Sequence, residues 1–227
     1  MIEGAKYWDD SDAYYIQTNN PTEEILRKSM VNVNKLLAEV GVNKVIGFLE
    51  SCGSTAGVDC LAVHYSQNEW KQEMDIVCPG GYRTQPEEVL NDWFNDPRNY
   101  PILEKVRFDI GPEDMPGNRV PQYYPPAIKA VFGVKCFFIW VRTHHVLKDY
   151  FQRGYSIQLC LKSPSHYVAG VAYDMVTGEI IFNDPWPGRF ADKSGFNKRM
   201  TGIKNLMPFA VVYPPKEKPK KSRHRNA

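Results

Sequence analysis

Ile25, Leu26, Met30, Val33, Leu36, Leu37 and Val40 recur at the three- and four-residue spacing of one helical face. Thr22 can cap that helix, Glu23 and Glu24 fall in its first turn, and Gly41 offers a C-terminal stop. The segment before it, through Asn20, is polar and aromatic, with Tyr14-Tyr15-Ile16-Gln17 as a short extended candidate. Val45 to Leu49 is an apolar run leading into Glu50-Ser51-Cys52-Gly53-Ser54-Thr55-Ala56, after which Gly57 to Tyr65 predicts a mostly buried helix. Residues 66–83 carry turn formers, including Pro79-Gly80-Gly81, and predict a loop. Pro86 to Phe94 predicts a short amphipathic helix closed by Asp96-Pro97. From about Arg98 to Pro126 the chain is rich in Pro, Gly and Tyr and predicts a long irregular stretch, a feature usually functional or inserted.

The second half changes period. Val134–Val141, Tyr155–Leu161, His166–Tyr173, Glu179–Phe182 and Pro208–Tyr213 are β-branched or aromatic runs of strand length. Thr143 to Arg153 predicts a helix ended by Gly154, and Asp174-Met175-Val176-Thr177-Gly178 predicts a hairpin connection. Helices first and an antiparallel sheet afterwards describe an α+β domain. Its bounds are 1–215, with an insert over about 66–126 and a tail over 216–227, and no internal repeat is visible.

Hydrophobic content of 43% and charged content of 24% are those of a chain that can bury a core. No run approaches the roughly 18 apolar residues of a membrane-spanning helix. The acidic start Met-Ile-Glu-Gly-Ala-Lys-Tyr-Trp-Asp-Asp has no apolar signal region, so cytoplasmic synthesis is expected, with release by another route left open. The net charge is +2, but Lys216 to Arg225 holds six Lys or Arg against one Glu, which leaves about −3 on the rest. A mildly acidic body argues against a nucleic-acid binder. The tail reads as disordered, serving solubility or a polyanion such as a cell-wall polymer. Cys52, Cys60, Cys78, Cys136 and Cys160 are odd in number and irregular in spacing, which suits free thiols rather than a disulfide framework or a zinc site.

One of those thiols has the setting of a nucleophile. A helix N-terminus favours thiolate through its dipole and free N–H groups, and Cys52 stands just before the small residues Gly53-Ser54-Thr55-Ala56. The same N–H groups can bind an oxyanion. His166 begins a strand after Ser163-Pro164-Ser165 and is the best placed of five histidines to serve as base. Asn183-Asp184-Pro185 ends the partner strand of that hairpin, roughly opposite, so Asp184 can fix the imidazole tautomer. His144-His145 has no carboxylate or Cys at ligand spacing and reads as a solvated helix start, and His64 as structural or a rim contact. Trp186 could shield the His–Asp pair, line a cleft or sit in the core, and Tyr123 and Tyr124 could meet substrate from the irregular stretch.

Cys52-Gly53-Ser54-Thr55-Ala56, Ser165-His166-Tyr167-Val168-Ala169-Gly170-Val171-Ala172-Tyr173-Asp174 and Ile180-Ile181-Phe182-Asn183-Asp184-Pro185-Trp186 resemble the Cys, His and Asp motifs of C39-like peptidases. The resemblance is good from about Val134 to Pro187 and modest around Cys52. It implies a papain-like α+β fold and a Cys-His-Asp triad cleaving amide bonds through a thioester, with no metal or organic cofactor. The family also places a Gln upstream of the Cys in the oxyanion hole. Tyr15-Ile16-Gln17-Thr18-Asn19-Asn20 looks similar, which makes Gln17 the candidate, although it stands 35 residues from Cys52 with a helix between, and a plain surface glutamine is the alternative.

The expected substrate is a peptide or peptidoglycan, the latter suited by a basic tail, as in a phage-type endolysin. The alternative is a catalytically inactive papain-fold module binding a peptide or partner, with residues 66–126 as its surface.

Overall fold

The computed structural model describes residues 1–11, 14–15, 52–77, 86–106, 120–163, 165–186 and 195–216. Strand β1 (Ile2–Gly4) comes first, then helices α1 (Cys52–Ala62), α2 (Gln67–Val77), α3 (Pro86–Asn95), α4 (Tyr100–Glu104) and α5 (Tyr124–Phe132). Strand β2 (Phe137–Trp140) and helix α6 (His144–Gln152) lead to β3 (Ser156–Lys162), β4 (Ser165–Asp174), β5 (Glu179–Asn183), β6 (Lys198–Thr201) and β7 (Leu206–Tyr213). The sheet runs β2-β7-β3-β4-β5-β6, with every recorded pairing antiparallel, and β1 pairs with β4 beyond the end of β3. The α+β expectation therefore holds. The predicted helix from Thr22 to Val40, the apolar run Val45–Leu49 and the basic tail beyond Lys216 lie outside the described residues.

Each face of the sheet has its own core. On one face Tyr167, Ala169, Val171, Ile181 and Val211 pack with Val58 and Leu61 of α1, Leu90 and Phe94 of α3, and Ile128 of α5. On the other, Ile157, Leu159, Val168, Ile180 and Val212 pack with Leu147 and Phe151 of α6. The alternation along β4 follows from the two-residue period of a strand.

Helix α1 has no solvent face: ten of its eleven residues are buried. Its mostly small side chains let it sit between the sheet and α3 with no face left to water. At Gly57 a Cβ would come 3.0 Å from Tyr213 Oη, so the backbone approaches the sheet there more closely than most side chains permit. Asp59, the one acid in α1, is fully buried and accepts the Tyr15 amide at 2.6 Å. Burial pushes its carboxyl well above the usual range.

Three expectations need correction. Residues 67–77 form helix α2 rather than a loop, and only its Trp70 is buried. The stretch expected to be irregular to Pro126 contains α4 and the start of α5. Pro125 and Pro126 fall in the first turn of α5, where no intrahelical N–H is needed. Strands β1 and β6 were not predicted: one is three residues long and the other, Lys-Arg-Met-Thr, is a polar edge. Elsewhere the hairpin turn closes on Gly178 at φ 75°, with Asp174 Oδ1 accepting the Val176 amide at 2.9 Å.

Gly170 marks where α6 meets the sheet. A Cβ there would lie 3.0 Å from Leu159 Cδ1 and 3.1 Å from both Ile157 O and Phe151 Cζ. Gly170→Val is expected to cost on the order of 1–3 kcal/mol through overpacking, read as a lowered urea midpoint at unchanged slope.

Candidate active site

Cys52 is the first residue of α1 and the only one of that helix not buried. The fully encased helix fixes its direction, so the first-turn amides have a definite place beside the thiol. Below it the buried Gln158 of β3 donates Nε2–H to the Gly53 carbonyl at 2.9 Å, while Tyr213 donates to Gln158 Oε1 at 2.6 Å. These bonds tie the first turn of α1 to the sheet.

His166, 8% exposed, stands near the start of β4, opposite Leu161 of β3. Its Nε2–H donates to Asp184 Oδ1 at 2.7 Å. Cys52 is its other neighbour of consequence, favouring the charged ring. With Nε2 on the carboxylate, Nδ1 is the nitrogen left for the thiol. The last β4–β5 partners are Ala169 and Asn183, so Asp184 would follow opposite Val168, two residues from His166. The contact is thus made from just past the end of β5 and is not a direct cross-strand pair.

Burial works against charge on His166, but Asp184 and Cys52 outweigh it and push its pKa up to about 9. Burial likewise opposes charge on Asp184, yet His166, Lys198 and the Trp186 amide together hold it at about 2. The stable form of the pair is therefore imidazolium and carboxylate. Cys60, Cys136 and Cys160 are buried, and burial pushes all three thiols up, Cys160 to about 11.

Asp184 follows the last residue of β5 and is secured by contacts from three segments. Its amide donates to Gly195 O at 2.9 Å, and its own carbonyl accepts the Tyr14 hydroxyl at 2.6 Å. A Cβ on Gly195 would collide with both Asp184 O and Tyr14 Oη. Asn183, fully buried, accepts the Asn197 amide at 3.0 Å. Lys198 Nζ reaches Asp184 Oδ2 at 2.8 Å. Trp186 donates its amide to Asp184 Oδ1 at 3.0 Å, and its ring stands edge-on to His166 with centroids 6.2 Å apart. At 59% exposure Trp186 is not a core residue.

The structure thus brings Cys52, His166 and Asp184 together. Gln17 lies outside the described residues, although Tyr14 and Tyr15 just before it bind Asp184 and Asp59. Tyr123 and Tyr124 are buried core residues, which corrects the expectation that they meet substrate. His64 is structural: its Nε2 meets Ser156 Oγ at 2.9 Å, and burial lowers its pKa to about 4. His144 packs on Tyr173 with ring centroids 5.1 Å apart. Among the described residues no group of three or more His, Cys, Asp or Glu could hold a metal ion, and no helix is long and apolar enough to cross a membrane. Sequence reasoning missed Lys198, Gly195 and Tyr14. The polar edge strand Lys198–Thr201 carries no apolar alternation, so no signal in the sequence pointed to Lys198.

Two measurements probe this geometry. Gly195→Ala is expected to displace Asp184 and to lower the urea midpoint by an amount equivalent to about 2 kcal/mol. The second concerns pH. Because the folded-state pKa of His166 is raised from 6.5 to about 9, its contribution to stability is fully present below pH 6.5 and is lost as pH rises through 9. Wild type should therefore exceed His166→Ala in urea stability at pH 6 by on the order of 1–3 kcal/mol, with the gap narrowing by pH 10.

Among known proteins the chain matches no family model and no curated sequence. Its function is therefore read from this site.

Proposed function

We propose that the chain is a cysteine hydrolase of papain-like architecture that cleaves amide bonds, with Cys52 as nucleophile, His166 as acid and base, and Asp184 orienting the imidazole. The observation that carries this reading is the His166–Asp184 hydrogen bond of 2.7 Å, made by a ring whose charge the helix-terminal Cys52 also favours. Nucleophile, base and orienter in hydrogen-bonded series are what activation of a thiol requires.

The reaction follows from the charges. Cys52 Sγ, as thiolate, attacks the carbonyl carbon, and the oxyanion forms beside the first-turn amides of α1. His166 then gives its proton to the leaving nitrogen as the C–N bond breaks, leaving a thioester on Cys52. A water molecule, deprotonated by His166, attacks the thioester, and the acid departs as the thiolate–imidazolium pair is restored. Asp184 keeps Nε2 protonated throughout, so that Nδ1 faces the reaction. Gln17 is retained as the further oxyanion donor by resemblance alone.

Peptidoglycan is the first substrate to try, as in a phage-type endopeptidase, because the basic residues from Lys216 to Arg225 suit an acidic wall polymer. The rival is a papain-fold module that binds a peptide without cleaving it.

Alkylation with limiting iodoacetamide at pH 7, mapped residue by residue, separates the two. Cys52 is expected to react at least about tenfold faster than Cys60, Cys136 and Cys160, with the lead abolished in His166→Ala. Equal reaction of all thiols would leave only the binding module. With a reactive Cys52, clearing of purified cell walls should fall at least about a thousandfold in Cys52→Ala. Unchanged wall turbidity with that reactive thiol would remove peptidoglycan and keep the hydrolase.

A further inference from the structure

The two oxygens of Asp184 are not equivalent. Oδ1 accepts from His166 Nε2 at 2.7 Å and from the Trp186 amide at 3.0 Å, while Oδ2 accepts from Lys198 Nζ at 2.8 Å. Lys198 is the first residue of β6 and pairs with Phe182 of β5, two residues before Asp184. The ladder therefore delivers the ammonium to the end of β5, where the carboxylate stands. The Asp184 side chain is only 15% exposed, against 38% for that of Lys198.

A lysine on a polar edge strand ordinarily extends into water, and an ion pair between two exposed side chains contributes little. Here the acid is half-buried and already engaged with an imidazole. A carboxylate held through one oxygen can still turn about its Cβ–Cγ bond. A cation on the second oxygen removes that freedom.

We propose that Lys198 is a positioning residue of this site: by holding Oδ2 it fixes the rotation of the Asp184 carboxylate and divides its one negative charge between two cations. The proposal rests on the hydrolase reading above and adds to it a residue that acts through Asp184. The groups around the pair are few. His166 faces Asp184 and Cys52, with Cys160 of β3 beside it, and Asp184 faces His166, Lys198, the Tyr14 hydroxyl and the Trp186 amide. Lys198 is the only lysine or arginine among these. Without its charge, Asp184 binds the imidazolium more strongly, and His166 keeps its proton to higher pH.

The test is an NMR titration of the His166 ring in the full chain, comparing wild type, Lys198→Met and Lys198→Arg. Lys198→Met keeps the aliphatic stem and removes the charge. Its His166 midpoint should move upward by about half a pH unit or more, and Lys198→Arg should return it to within about 0.2 unit of wild type. A lysine that took no share of the carboxylate's charge would not move the midpoint in this direction, and one whose loss mainly misaligned Asp184 would lower it, so an unchanged or lowered midpoint in folded Lys198→Met overturns the proposal. Should that variant fail to fold, Lys198→Gln carries the same expectation and the same refutation. The titration requires no turnover. Unselective iodoacetamide labelling of wild type would end the hydrolase reading while an upward shift kept Lys198 as the residue that positions Asp184. A static midpoint with a reactive Cys52 would end the Lys198 proposal alone.

Discussion

The burial of helix α1 against the sheet is the constraint on which the site depends. Ten of eleven residues of Cys52–Ala62 are shielded from water, so the helix cannot slide or rotate without opening the core on that face. Gly57 allows the close approach, and Gln158 with Tyr213 ties the first turn to the sheet through the Gly53 carbonyl. A thiol placed at the end of so tightly held an element has its position decided by the whole core. Cys52 can therefore remain partly accessible while everything beneath it is closed.

The opposite half of the site is built from a hairpin and its neighbours. The β4–β5 ladder brings the end of β5, and with it Asp184, near His166, and the β5–β6 ladder adds Lys198. Loop contacts from Tyr14 and Gly195 then fix the backbone of Asp184 itself. The electrostatics are consistent with this order. An imidazolium, a carboxylate and an ammonium alternate in sign, joined by hydrogen bonds of 2.7 and 2.8 Å to the two carboxylate oxygens. Charges paired in series tolerate partial burial that each alone would not.

Much of this was legible along the chain. The run of small residues after Cys52, the two-residue period from His166 to Tyr173, and the turn at Asp174–Gly178 each specify local structure by short-range sterics and hydrogen bonding. The places where pattern failed are those where local preference is weak or misleading. Helix α2 buries only Trp70, so its apolar signal was faint beside its charges. Pro125 and Pro126 looked like breakers, yet both occupy the first turn of α5, where proline is tolerated. The strand Lys198–Thr201 carries no apolar alternation because it lies at a sheet edge.

The sequence by itself determined strands β2, β3, β4, β5 and β7 and helix α6, the residue types able to act as nucleophile, base and orienter, and the hairpin that brings the last two near. These follow from periodicity, turn chemistry and the intrinsic acidities of side chains, all of which are local. Only the tertiary structure decided that Asp184 meets His166 from just past the end of β5, that its other oxygen belongs to Lys198, that Gly195 must lack a side chain, and that Tyr123 and Tyr124 are core. Those outcomes depend on register, sheet order and close packing between segments far apart in the chain, and no short-range preference encodes them.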